Sequence, residues 1–370
     1  MRVLFIIESL GRGGAERQMV TLGAGLAARG HEVHIGCLHH PGPLGEEALE
    51  AGIAVHAPRS RVMKRLFSAV FLVRLVWNLK PDVVHPYLTQ NNVKVSLLRF
   101  FYPGTPVVWG VRATSLNLGD YGIRDRIIAW LGRQLSPRAD MVICNSTGAR
   151  DEIVGVGLRP GLVHVVPNGI DADRFRQLPA QGQAFKERYL SGHSGQVVGM
   201  LARWDPMKGQ GAFLEMAALL VDRLPDCMFV LVGRCTQEQE ETYLANAHQM
   251  GLSGHLVLVG EVDNSIGAIN SFDVLVSCSR YGEGFSNVIA EAMACGVPVV
   301  ATDVGDAGLI VGDLCPVVPA GDVEAIAEAT CRLLEVGSVR PDDLRERVVS
   351  NYSVDNLVDA TLRLLSNLNP

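Results

Sequence analysis

The feature that most limits what this chain can fold into is an alternation that runs, lapses and runs again. Short apolar runs of strand length, beginning with "RVLFII" at 2–7, each lead through a turn into a stretch with helical spacing. "EVHIGCL", "DVVHPY", "PVVWGVR", "MVICNS" and "VHVVPNG" continue the strand series, and "GAERQMVTLGAGLAARG" is the first helix. Around residues 177–193 the pattern gives way to "QLPAQGQAFKERYLSGHS", read as a linker and domain entry. It then restarts with "QVVGMLAR", "CMFVLVG", "HLVLVG", "DVLVSCS" and "PVVAT" as strands between helical stretches. Strand–helix alternation builds a parallel sheet with helices on both faces. The expected fold class is therefore α/β, with two doubly wound, Rossmann-like domains at 1–177 and 178–352 and a terminal helical segment at 353–370. A chain of 370 residues suits two cores. Ligands of such sheets bind outside the carboxyl ends of the strands, so the cleft between two such domains is the expected site.

Charge divides the same way. Residues 1–177 carry 21 Lys and Arg against 14 Asp and Glu, and the remainder carries 12 against 25. The basic half could meet anionic lipid or a phosphorylated substrate, or simply present a solvated surface. Nucleic acid is not expected as a partner, because no recognition motif accompanies the charge. The eight cysteines form no CxxC pair and several lie in apolar runs, so they read as buried, reduced thiols. The five apolar residues Val3 to Ile7 before Glu8 are too few for a signal peptide, and no run reaches the length of a membrane span. The expected location is cytoplasmic. Residues 61–80, "RVMKRLFSAVFLVRLVWNLK", could lie on the inner face of the membrane as an amphipathic helix, or pack on a sheet.

Three motifs carry candidate chemistry. "GRGGAER" offers Gly13 and Gly14 at a helix start, but Glu16 occupies the last glycine position of a dinucleotide fingerprint, and the second strand lacks the acidic terminus. What survives is a glycine loop whose free N–H groups suit an anion; a tight structural turn has the same composition. "RWDPMKG" places Arg203 and Lys208 after the strand that opens the second domain, where two cations could neutralise a diphosphate or merely be solvated. "EGFSNVIAEAMACGVPVVAT" holds Glu283 on a loop before Gly284 and Glu291 inside the following helix among small apolar neighbours. A carboxylate placed like Glu291 needs hydrogen-bond partners, and sugar hydroxyls would serve. "DAD" at 171–173 reads as a turn after a strand rather than a metal-binding pair.

Together "GGAER", Asn145–Ser146, "VPNGID" at 166–171, the Arg203/Lys208 pair and the Glu-x7-Glu segment resemble glycosyltransferase family 4 along nearly the whole chain. The resemblance implies a retaining enzyme of the GT-B fold, with an N-terminal acceptor domain, a C-terminal nucleotide-sugar domain, and a last helix crossing back to the N-terminal one. It implies that Arg203 and Lys208 hold the donor diphosphate, Glu283 the donor sugar and Glu291 the ribose. Backbone of Gly284, Phe285, Ser286, Asn287 and Val288 would line sugar and phosphate. The base would stack near Val262, and Gly13 and Gly14 would approach the diphosphate. One departure stands out. Many members carry a His after the strand corresponding to "PVVWGVR", whereas this chain has Arg112. Arg112 is thus a candidate replacement cation and His85 a second candidate.

The expected function is transfer of a hexose or N-acetylhexosamine from a nucleotide-diphosphate sugar, UDP-linked by family frequency. The acceptor would be a saccharide or polyprenyl-linked lipid in surface polysaccharide, lipopolysaccharide or capsule synthesis. No cofactor and no metal are expected, the nucleotide-sugar being a co-substrate. The alternatives are a GT-B sugar-nucleotide epimerase or hydrolase, and a non-catalytic sugar-nucleotide-binding subunit.

Overall fold

The computed structural model describes residues 1–58, 66–112, 122–155, 157–336 and 339–368. It divides into two compact units. Unit 1 comprises Met1–Gly169 with Val354–Pro370, and unit 2 comprises Ile170–Ser353. The chain therefore leaves unit 1 at Gly169, before the 177/178 boundary set by composition. The segment read as a linker and domain entry lies in unit 2: α-helix Pro179–Tyr189 buries Phe185, and Gly182 lies against the backbone of Asn270.

Unit 1 runs β1 (Arg2–Ile7), α1 (Gly14–Ala28), β2 (Glu32–Cys37), α2 (Leu44–Glu50), β3 (Ala54–His56), α3 (Leu66–Leu79), β4 (Val83–Pro86), α4 (Thr89–Leu98), β5 (Val108–Val111), α5 (Ile123–Leu135), β6 (Met141–Cys144), α6 (Thr147–Gly155) and β7 (Val163–Val165). The strands pair in parallel as β3-β2-β1-β4 and β5-β6-β7, and bridges Val84–Val107 and Tyr87–Gly110 join the two sets. β1 lies inside this sheet and is covered on both faces, which explains its unbroken apolar run. Val3, Phe5 and Ile7 pack toward α1 and α2, whereas Leu4 and Ile6 pack toward α3, α4 and α5. Of the 61–80 segment, residues 61–65 lie outside the described residues; α3 buries Leu72, Leu75 and Val76 in the sheet core. Its inward apolar stripe is therefore used for packing.

Unit 2 begins with α7 (Pro179–Tyr189) and continues with β8 (Val197–Leu201), α8 (Gln210–Leu220), β9 (Met228–Val232), α9 (Gln237–Gln249), β10 (Leu256–Val259), α10 (Ser265–Ser271), β11 (Val274–Ser277), α11 (Asn287–Ala294), β12 (Val299–Thr302), α12 (Ala307–Val311), β13 (Val317–Val318), α13 (Val323–Val336) and α14 (Pro341–Tyr352). Its sheet is parallel throughout, in the order β10-β9-β8-β11-β12-β13. The doubly wound expectation holds in both units. Each order reverses direction beside its first strand, between β1 and β4 in unit 1 and between β8 and β11 in unit 2. The loops leaving the two strands at such a reversal diverge and open a crevice.

The final helix, α15 (Val354–Ser366), belongs to unit 1. Leu357, Val358 and Leu365 are buried beside α1, each contributing about 1.5–3 kcal/mol relative to exposure. The contact is close because α1 has Gly25 there: a Cβ would fall 2.4 Å from Val358.

Candidate active site

In unit 2 the loops after β8 and β11 are tied to one another at the reversal point. After β8, Asp205 caps a short 3-10 turn by accepting from the Met207 N–H at 3.1 Å. Gly209 then takes φ +72°, and a Cβ there would fall 2.1 Å from the Cys278 carbonyl, so only glycine allows the approach. From the other loop, the Arg280 N–H donates to the Met207 carbonyl at 2.7 Å. Gln210 donates to the Arg203 carbonyl at 2.9 Å. This scaffold brings the Lys208 ammonium onto Glu283 Oε1, which also accepts from the Ser279 hydroxyl at 2.6 Å. Both members of the pair are largely shielded from solvent. Arg203 differs: its guanidinium pairs with Asp205 at 3.0 Å, yet its side chain is 69% exposed. An exposed pair of this kind holds its members weakly and leaves the cation able to turn to a ligand.

The Glu283 loop is fixed from behind. The Asp306 N–H donates to the Gly284 carbonyl at 3.0 Å, and Gly305, at φ +62°, would place a Cβ 2.5 Å from that same oxygen. Phe285 is buried edge-on against Tyr352, ring centroids 5.1 Å apart, so its backbone rather than its side chain is left for a ligand. Ser286 occupies the cap position of α11 without a side-chain cap bond, and Asn287 and Val288 open the helix. The first N–H groups of a helix carry its positive dipole end. Glu291 is buried about one turn from that end. Val262, beyond β10, is half-buried and packs against the core that contains Phe285.

The unit 1 candidates also sit at strand carboxyl ends. Gly13 caps α1 and Gly14 is its first residue. The Glu16 side chain folds back over Gly13, where a Cβ would lie 2.2 Å from its Oε2. Gln18 exchanges two hydrogen bonds with the Gly169 backbone, at 2.8 and 3.0 Å, which joins the "GGAER" and "VPNGID" segments. After β5, the Arg112 guanidinium stacks on the buried Tyr87 ring at 4.0 Å, donates to the Tyr87 hydroxyl, and donates to Asn168 at 3.3 Å. Gly110 makes room, since a Cβ there would meet the Tyr87 ring at 2.5 Å. Asn145 holds the Arg112 carbonyl at 3.3 Å. Leu88, next to Tyr87, is held at φ +73°, a strained conformation for a side chain of its size. His85 is fully buried, its Nδ1 bonded to the Val108 carbonyl at 2.6 Å. Burial, with Arg112 nearby, pushes its pKa down to about 3. His85 is therefore a neutral structural residue and supplies no cation.

Asp171 accepts from the N–H groups of Asp173 and Arg174 at 3.1 and 3.0 Å, the arrangement of a local turn. The cysteines are buried apart from the half-buried Cys235. Desolvation pushes the Cys37, Cys144 and Cys278 thiols up to about 12. Several residues that shape these sites were not singled out from the sequence: Gln18, Tyr87, Asn168, Asp205 and Ser279. Two of them carried a local turn signal: Asp205, preceding Pro206, and Asn168, in the Asn-Gly of "VPNGID".

The sequence profile of "Glycosyltransferase Family 4" matches residues 12–174, and that of "Glycosyl transferases group 1" matches 195–336. The chain belongs to glycosyltransferase family 4. Among relatives of this family 4 chain, the phosphatidyl-myo-inositol mannosyltransferase of Mycobacterium leprae is 33% identical over 50% of this chain and 46% of its own. The chain thus spans about half the length of the mannosyltransferases it matches. A Campylobacter jejuni enzyme, N-acetylgalactosamine-N,N'-diacetylbacillosaminyl-diphospho-undecaprenol 4-alpha-N-acetylgalactosaminyltransferase, is 26% identical over 80% of this chain and 79% of its own. The crystal structure of Anabaena HepE with UDP superposes with a TM-score of 0.84 at 21% identity, covering 99% of this chain and all of the other. The fold is GT-B.

Proposed function

We propose that this family 4 chain is a retaining, metal-independent glycosyltransferase. It moves a hexose or N-acetylhexosamine from a UDP-linked donor to a saccharide or lipid-linked acceptor at the inner face of the cytoplasmic membrane, in surface polysaccharide or lipopolysaccharide synthesis. The observation that carries the reading is the cluster of Lys208, Glu283 and Ser279, with Arg203 beside it, at the strand reversal of unit 2. HepE, of like fold, holds UDP in its crystal structure, and both relatives are named for acceptors that are lipids or lipid-linked.

The roles follow from charge. When the bond from the anomeric carbon to the diphosphate breaks, its electron pair leaves with the diphosphate oxygen. Arg203 and Lys208 stabilise that developing charge, helped by the N–H groups at the start of α11. An ammonium has three donors, so Lys208 can keep Glu283 and still bond a phosphate oxygen. Glu283, oriented by Lys208 and Ser279, accepts from hydroxyls of the donor sugar. Glu291 accepts from the ribose, Val262 lies against the base, and the backbone of Gly284 to Val288 lines sugar and phosphate. Arg112, held on Tyr87 in unit 1, is a cation available to the acceptor. The acceptor hydroxyl oxygen bonds to the anomeric carbon on the departing face. Its proton passes to the leaving phosphate oxygen, giving glycoside and UDP.

Calorimetry and thermal shift against UDP, GDP and ADP, with and without chelator, test the reading. UDP at a hundredfold excess over its Kd should stabilise the protein by about 2.7 kcal/mol, with or without chelator. Stabilisation by none of the three nucleotides would sink the proposal, and a chelator-sensitive shift would sink its metal-independent part.

A further inference from the structure

Helices α3, α4 and α5 cover the same face of the unit 1 sheet, since their inward side chains share one core with Leu4, Ile6 and Trp109. Their outward side is apolar where solvent should favour polar residues. Phe100 is 85% exposed, Ile123 78%, Trp130 59% and Trp77 57%, and Phe101 and Ile127 are also exposed. Single exposed apolar residues are ordinary. Here, however, every exposed Trp and Phe side chain among the described residues lies on this one helical layer or on the turn that ends α4. Such a concentration marks a surface that meets something apolar.

The layer is ordered for that purpose. Ile123, Ile127 and Trp130 recur at i, i+4 and i+7, so they form one stripe along α5. The Trp77 indole donates to the Phe101 carbonyl at 2.8 Å, which ties the end of α3 to the turn. Its polar atom is thereby satisfied within the protein, and the ring can leave water without losing a hydrogen bond. A hollow of about 420 Å³ opens beside it, walled by Trp77, Phe101, Pro103 and Thr105, with Lys80 at its edge.

Charge identifies the occupant. Across α3, α4, the 99–101 turn and α5 there is one acidic residue, Asp125, against Arg74, Lys94, Arg99, Arg124, Arg126 and Arg133. Lys94 and Arg99 are paired with Glu8 and Asp140, acids outside this layer, while Arg74, Arg124, Arg126 and Arg133 are exposed. We infer that this layer is a docking surface for an anionic phospholipid bilayer. Trp77, Phe100, Phe101 and the α5 stripe enter the interface, and the arginines contact lipid phosphates. The inference extends the membrane location proposed above and is independent of the transfer chemistry. It moves the membrane-facing role from the inward stripe of α3, which is buried in the core, to the outer layer.

Co-sedimentation of the full chain with vesicles of phosphatidylglycerol and phosphatidylethanolamine, or of phosphatidylcholine alone, tests it. Binding should favour the anionic vesicles at least tenfold and weaken as salt is raised. Phe100→Ser with Trp130→Ser, and separately Arg124→Glu with Arg126→Glu, should each lower the partition coefficient at least tenfold. These positions are exposed, so melting temperature and UDP affinity should stay as in the parent. UDP affinity measured in the same samples reports on the donor-site reading, so the two can fail separately. No binding to anionic vesicles, or binding unchanged in both variants, would overturn the inference. So would a dimer in analytical ultracentrifugation that the Phe100→Ser and Trp130→Ser protein no longer forms, which would assign the layer to a second copy of the chain.

Discussion

Replacing Lys208 by Met keeps most of the side chain and removes the ammonium from Glu283. Glu283 then remains shielded, with the Ser279 hydroxyl still donating at 2.6 Å. Breaking a buried ion pair from one side costs about 3–5 kcal/mol. Lys208 keeps a fifth of its side chain exposed and Glu283 keeps the serine bond, so the expected loss is about 1–3 kcal/mol. For a unit of this size that lowers the melting temperature by roughly 3–10 °C. The catalytic loss is separate: removing one fixed positive group from a developing oxyanion costs about 3–4 kcal/mol, or a factor of 10² to 10³ in kcat. Calorimetry and UDP release measure the two losses. Adding Glu283→Gln removes the stranded charge, so the double variant should regain at least half of the lost stability while staying inactive. Two results would refute the reasoning: a Lys208→Met protein that melts and turns over like the parent, or a double variant no more stable than the single one.

Other outcomes follow from the same geometry. Glu291→Ala should raise the Kd for UDP at least tenfold by calorimetry, and an unchanged Kd would contradict the ribose assignment. Tyr87→Phe keeps the ring beneath Arg112 and removes only the hydroxyl bond, so kcat should fall a few-fold with UDP affinity unchanged. Tyr87→Leu removes the stack as well and should cost at least tenfold, and equal kcat values for the two would refute the positioning of Arg112. For pH, His85 has its folded pKa lowered to about 3 against an unfolded value of 6.5, so its contribution is complete above 6.5 and is lost as pH falls toward 3. Between pH 6.5 and 4.5 the parent should lose about 2–3 kcal/mol relative to His85→Gln in urea unfolding. Parallel profiles for the two proteins would show that His85 does not bind its proton on unfolding.

The doubly wound plan was legible because fully buried strands such as β1 and β11 leave unbroken apolar runs between turn residues. The loop motifs were legible because they combine rare types: Arg203 and Lys208 across a Pro, and Glu283 before Gly284. What escaped were partners that come together only when the loops fold. Ser279 reads as the unremarkable end of a strand until the loop returns it to Glu283. Tyr87 and Asn168 are 25 and 56 residues from the Arg112 they hold. The helix within the 177–193 stretch was not legible because α7 is polar on most sides, with Phe185 as its buried anchor among Gln, Lys, Glu and Arg. α10 was missed for a different reason: seven residues, "SIGAINS", are too short for a helical period to show, and its cap Asn264 looks like loop.

The placement of α15 sets an order of events in synthesis. Unit 1 is assembled from both ends of the chain, with unit 2 as an insertion between them. During translation every residue of unit 2 has been synthesised before Leu357, Val358 and Leu365 exist to close the unit 1 core. The half that starts first must therefore finish last, and until then the part of α1 that meets α15 waits uncovered. A stop codon or a proteolytic cut near residue 353 would not trim a tail; it would leave the first domain without part of its interior.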